Sequence, residues 1–222
     1  MWCIPPEQNA DFVAKMEDVL DVYSSPYDES CPVICLDEKP YQLLDERREP
    51  LPMKRGRPKR IDNEYERHGT CSIFVMCEPK KGWHHAFARE RRTAVDFACE
   101  IDWLLTESCY KNVPKVKLVV DNLNTHVIAS LYKAFAPPKA RELAKRLEIH
   151  YTPKHGSWLN IAEISISILT KQCIGRRIPD LTTLNQEIAA WEQGYNSQHN
   201  AVKWHFTTDD ARIKLLKLYP SF

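Results

Sequence analysis

Three carboxylates sit where a solvated surface charge is least expected. Asp37 closes the run VICL, Asp121 closes VKLVV, and Glu163 lies inside NIAEISISIL. An Asp directly after a buried strand emerges at the crevice where open α/β sheets gather ligands. A buried carboxylate is costly without a partner. Singly, each has an ordinary explanation. Asp121 could cap a helix starting near Thr125, and Glu163 could pair with Lys154 or Lys171. Together, three acids at one sheet edge repel one another unless a divalent cation neutralises them. An all-oxygen donor set suits Mg²⁺ or Mn²⁺.

The neighbouring residues extend this reading. Asn122, Asn124 and His126 follow Asp121; Lys154, His155, Trp158 and Asn160 precede Glu163. Asn122 and Asn124 fit turn chemistry as well as support of a metal site or contact with a DNA backbone. His126 reads as functional in one of those two ways. Asn160, one turn before Glu163, shares its face and could orient it. Trp158 is a core side chain or, less simply, a platform for a distorted base. Glu38 follows Asp37 and points to the opposite face if the strand continues, so it reads as non-catalytic.

The elements that must position these groups follow from periodicity. Residues 7–22 space Phe12, Val13, Met16, Val19, Leu20 and Val22 as an amphipathic helix, entered after Pro5 and Pro6. PVICLDEK predicts a buried strand that Asp37 ends. TCSIFVMCEP and GWHHAFARE predict two strands joined by a turn at Pro79–Gly82. A helix over 93–107 has Thr93 as its N-cap. VKLVV is a continuous apolar strand, as a central position requires. Helices at 125–135 and 139–147 are separated by Pro137–Pro138, and a strand follows over 147–153. From Ser157 the pattern is helical, at 158–173, 182–195 and 208–217. A Ser157 cap puts Glu163 about two turns into its helix. The order β, β, β, α, β, α, β, α predicts an α/β fold. Three antiparallel strands and then parallel βα units form one mixed five-stranded sheet flanked by helices.

The acids in CLDEK, VVDNLNTH and SWLNIAE resemble those of the DDE transposases, which have an RNase H-like fold. WCIPPE, YERHGT, ERRTAVDFA, DNLNTH, HYTPKHGSWLN, RRIPDL and FTTDDARIKL are similar to the bacterial insertion-sequence branch of the mariner superfamily. The resemblance implies a catalytic triad of Asp37, Asp121 and Glu163, and a cofactor of two Mg²⁺ or Mn²⁺ ions. Asp37 would bridge the ions, with Asp121 and Glu163 holding one each. It implies DNA strand cleavage at element ends, then attack of the 3′-hydroxyl on target DNA, commonly at TA. It implies a helical lead-in over 1–30 and a catalytic domain over 31–222. The helix-turn-helix module usual in this branch is not read in these residues, so a separate chain could supply it. Function also makes a homodimer plausible, because two DNA ends must meet. A cytoplasmic, nucleoid-associated bacterial protein is implied.

Charge at first argues otherwise. The formal net charge is +1, whereas nucleic-acid binders usually carry a basic excess. The total hides an asymmetry: residues 1–51 hold 12 acids and 4 bases, the remainder 18 acids and 27 bases. The run Lys54, Arg55, Arg57, Lys59 and Arg60 contains no acid. Its RGRP core is similar to an AT-hook, an extended segment that enters the minor groove. A solvated loop making general phosphate contacts is the plainer reading. Lys154 and His155 are further candidate DNA contacts, as is His126. None of the eight cysteines forms a C-x-x-C pair, and buried reduced thiols are the expectation. No apolar run approaches the roughly 20 residues of a membrane helix, and no secretory signal is read. Two other functions compete: a catalytically silent relic that still binds DNA or protein, and a hydrolase with paired carboxylates acting on a small substrate such as a glycan.

Overall fold

The computed structural model describes residues 9–220. Cys3, Pro5, Pro6 and the first residues of the predicted opening helix lie outside the described residues. The sheet has five strands, β1 (Val33–Glu46), β2 (Tyr65–Glu78), β3 (Trp83–Arg89), β4 (Val116–Val120) and β5 (Leu147–Tyr151), in the order β3-β2-β1-β4-β5. β1 and β3 run antiparallel to β2, and β1, β4 and β5 are parallel. Among the described residues seven α-helices surround it: α1 (Ala10–Ser24), α2 (Ala94–Thr106), α3 (Ala129–Ala134), α4 (Pro137–Lys145), α5 (Ala162–Leu169), α6 (Leu181–Asn196) and α7 (Thr208–Lys214). This is the mixed α/β sheet that the order of elements predicts.

Strand alternation sorts the core into two faces. Ile34 and Leu36 of β1 and Val116, Leu118 and Val120 of β4 pack with α2, α3 and α4. Cys35 and Val119 point the other way, into a core with α1, the start of α5 and α7. The β2–β3 part of that second face packs on α5 and α6. β4 is therefore covered on both sides, which is why its sequence is apolar without alternation. β3 is an edge strand whose free backbone groups would invite pairing with another chain. α6 covers them: Asn185 bonds both backbone groups of Ala88, and Asn196 both of His84.

The structure differs from the sequence reading in five places. Asp37 lies inside β1 rather than at its end, because β2 pairs with β1 from Cys35↔Cys77 as far as Glu46↔Tyr65. An antiparallel ladder needs only one apolar face, so this polar extension leaves no apolar signature. α3 begins at Ala129; residues 122–128 form turns, with the Ser130 hydroxyl donating to the Thr125 carbonyl at 2.7 Å. Pro137 and Pro138 open α4 rather than merely ending its predecessor, as N-terminal prolines do. The predicted 158–173 helix is broken into a 3₁₀ turn (Ser157–Leu159), α5, and a π turn over Thr170–Ile174. Of the described cysteines, all free, only Cys35, Cys71 and Cys77 are buried, and Cys109 is exposed. Thr93 does cap α2, in a reciprocal capping box with Asp96. Among the described residues no helix is long and apolar enough to cross a membrane.

Candidate active site

The last residues paired between β1 and β4 are Cys35 and Val119. Two residues further on come Asp37, inside β1, and Asp121, just past the end of β4. The parallel register thus brings two acids from distant sequence to adjoining positions. Asp37 is nearly buried, at 9% exposure, and one of its oxygens accepts the Glu38 N–H at 2.8 Å. Burial pushes its carboxyl up to about 7; the Glu38 N–H opposes this, and the charges of Glu163 and Asp121 reinforce it. The three acids therefore share one electrostatic environment.

Glu163 is brought to this edge by Asn160. The Asn160 side chain is buried, donates to the Leu36 carbonyl at 2.8 Å and accepts from the Ala162 N–H at 3.1 Å. It ties the entry of α5 to the residue preceding Asp37. The Asn160 carbonyl also accepts the Glu163 N–H at 3.1 Å. Because Asn160 bonds the backbone locally, the helix starts after it, and Glu163 falls in the first turn of α5 rather than two turns in. Glu163 is exposed, not embedded, and among the described residues neither Lys154 nor Lys171 forms an ion pair with it. Tyr23 of α1 supports the same turn. Its hydroxyl donates to the Leu159 carbonyl at 2.8 Å and accepts from the Ile161 N–H at 3.4 Å.

His126 is the main correction among the candidate DNA contacts. It is fully buried, so it cannot touch a DNA backbone. Its Nε2 lies 2.8 Å from Glu38 Oε1, and its Nδ1 faces Asp121, 2.5 Å from the carboxylate Oδ1 and 3.4 Å from the main-chain carbonyl. Burial alone would lower its pKa; its bonds to Asp121 and Glu38 outweigh this and raise it to about 9. Glu38 does point away from Asp37, as alternation predicts. Its partnership with His126 was not legible, since the two lie 88 residues apart. Tyr23 was missed for the same reason.

The remaining candidates scatter around the site. Asn122 and Asn124 are exposed and make no side-chain hydrogen bond among the described residues. Lys154 and His155 are exposed in the turn between β5 and α5, with His155 in the left-handed region at φ 66°. Trp158 is half-buried against the α1 core. Lys54, Arg55, Arg57, Lys59 and Arg60 are all exposed on an arm between β1 and β2. Lys54 and Arg57 exchange backbone bonds of 3.0 and 2.8 Å, and Gly56 takes φ 73°. Arg55 and Gly56 of RGRP thus form the tip of a tight hairpin closed by Lys54 and Arg57, not an extended hook.

The donor chemistry of Asp37, Asp121 and Glu163 fits a hard divalent cation: oxygens only, with the Asp37 carboxyl pushed up to about 7 by burial and by the neighbouring acid charges. Their side chains as they stand do not close on one point. Among the described residues no three His, Cys, Asp or Glu groups form a ready metal cluster. The Asp121 carboxylate is drawn toward His126 instead.

A five-stranded mixed sheet in this order, with acids on adjoining β1 and β4 positions and at the start of a following helix, defines the RNase H-like class. The chain belongs to the DDE superfamily endonucleases, whose family model matches residues 32–185. Among solved structures it is similar in fold to the catalytic domain of the Mos1 mariner transposase (TM-score 0.51, 10% identity, 94% of each chain covered). It is also similar to the chain in a pre-cleavage Mos1 transpososome (TM-score 0.57, 13% identity), covering 99% of this chain and 66% of that one. A third likeness is to the Mos1 mariner paired end complex with Mn (TM-score 0.56, 12% identity), covering 93% of this chain and 62% of that one. The chain thus spans under two thirds of the Mos1 chains in those assemblies. No curated protein matches the sequence significantly.

Proposed function

We propose that this chain is the catalytic part of a transposase of the insertion-sequence type. It cleaves DNA strands and joins the resulting 3′-hydroxyl to target DNA. The observation that carries this is that acids from three separate segments are brought to one edge of the sheet. Register sets Asp37 beside Asp121, and Asn160 binds the Glu163 turn to the residue before Asp37.

Asp37, Asp121 and Glu163 would hold two divalent ions, Mg²⁺ or Mn²⁺. Bound there, such ions would supply acidification of the attacking water or 3′-hydroxyl and stabilisation of the leaving oxygen. The protein supplies position and charge. Asp37 is fixed by its strand and by the Glu38 N–H. Glu163 extends outward from a turn pinned on two sides. Lys154 and His155 stand exposed on the turn leading to α5, where they can meet phosphates. The cationic arm at 54–60 meets the backbone further out. The related Mos1 assemblies named above are paired end, transpososome and metal complexes. By analogy two copies act together here, and recognition of element ends falls to a helix-turn-helix segment or chain.

The test is nicking of supercoiled plasmid in Mg²⁺ or Mn²⁺. Wild type should nick only with metal, and Asp121→Ala should not nick at all. DNA binding by wild type without metal-dependent nicking would instead identify a silent binding module.

A further inference from the structure

Glu38 and His126 remain outside the catalytic reading, yet they form the most deeply buried polar pair next to it. Their side chains are 3% and 0% exposed. Burying such a pair is no general gain over an apolar pair of the same size. The ring of Phe97, its centroid 4.8 Å from that of His126, forms an apolar wall beside the pair. The backbone around His126 is also fixed. The Tyr151 hydroxyl donates to the His126 carbonyl at 2.9 Å, and Ser130 holds the Thr125 carbonyl. Asp121, by contrast, has left the β4 ladder, is 29% exposed, and has His126 as its only side-chain partner among the described residues.

We propose that Glu38 and His126 are positioning residues that aim Asp121. Glu38 fixes the ring through Nε2. Nδ1 then stands against the Asp121 carbonyl and Oδ1, pairing with the carboxylate by charge and leaving its other oxygen for an ion shared with Asp37. β1 thereby sets both acids of the pair: Asp37 directly on one face, and Asp121 by way of Glu38 on the other. The separation of the two acids is defined by one strand rather than by a loop. This rests on the reading of Asp37 and Asp121 as holders of a divalent cation.

The two ring nitrogens can be tested apart. Asn at position 126 places an amide N–H near the Nδ1 position, and Gln places one near Nε2. Mn²⁺ binding to the full chain is measured by calorimetry, and thermal melting without metal confirms folding. His126→Gln and His126→Ala should weaken Mn²⁺ binding roughly 10- to 100-fold, the range seen when a group behind a metal ligand is lost. His126→Asn should restore most of that loss. A merely structural histidine would lower the melting temperature in all three and leave the affinity of the folded protein unchanged. Folded His126→Gln with wild-type affinity, or His126→Asn as weak as His126→Gln, would overturn the proposal. If the position-126 variants do not fold, Glu38→Gln carries the test. It keeps the shape and removes the charge that fixes the ring, so clear weakening supports the proposal and unchanged affinity overturns it. Wild type that binds no Mn²⁺, or Asp37→Asn that binds it equally well, would overturn the metal reading itself and this inference with it.

Discussion

At the scale of single residues, Asp121 and Glu163 differ in what surrounds them, and their substitutions should differ accordingly. Glu163 is exposed with no ion pair among the described residues, so Glu163→Gln should change folding stability by no more than about 0.5 kcal/mol. It should nevertheless reduce metal-dependent nicking by more than the roughly 100-fold typical of a group behind a ligand. Nicking and melting of one preparation check both halves. Marked unfolding would make Glu163 a structural residue instead. The three acids were legible because each interrupts apolar sequence. Glu38 was half legible: alternation gave its face, but its partner lies on another strand's loop. Asn160 was singled out by spacing, yet the bond to Leu36 that explains it is a tertiary contact no local pattern encodes.

At the scale of elements, the β3–α6 contact carries a pH dependence. His84 is buried, its Nδ1 has no hydrogen-bond partner among the described residues, and its ring meets Tyr195 edge-on at 4.7 Å. Burial lowers its pKa to about 4, only partly opposed by Glu192. The unfolded chain binds the proton more readily, with an ordinary value near 6.5. Stability from this site is therefore complete above about pH 6.5 and is lost as pH falls toward 4. The full swing is at most about 3 kcal/mol. His84→Phe should flatten this acid limb in melts taken between pH 4 and 7; an unchanged limb would assign it to other groups. The elements themselves were largely legible: five strands, their directions, and the Thr93 cap. Boundaries failed where a partner overrode local pattern. β2 prolonged β1 into polar sequence, and Asn160 divided a helix that reads as continuous.

At the scale of the whole molecule, the net charge of +1 conceals a structural separation. The acid-free run at 54–60 stands out from the body on an arm whose base carries the ion pairs Arg47–Glu64 and Arg48–Asp62. Replacing Lys54, Arg55, Arg57, Lys59 and Arg60 with Gln should weaken DNA binding without sequence preference. It should lower the salt slope by about one for each cation that meets a phosphate. Binding titrations at several salt concentrations read this directly, and an unchanged slope would remove the arm from the interface. Sequence showed the run but not its form, because the closing bonds between Lys54 and Arg57 depend on the ladder beneath them.

Tyr23 joins α1 to the turn that carries Glu163, and this has a consequence for how the molecule comes apart. A helix held only by its apolar stripe could detach and leave the sheet intact. Here its release strips the Leu159 carbonyl and the Ile161 N–H of their partner at the same moment. Local opening of α1 and of residues 159–164 should then be one cooperative unit. Amide hydrogen exchange should report a common opening free energy for both segments, and Tyr23→Phe should uncouple them. The acidic edge is therefore only as persistent as the most N-terminal helix described.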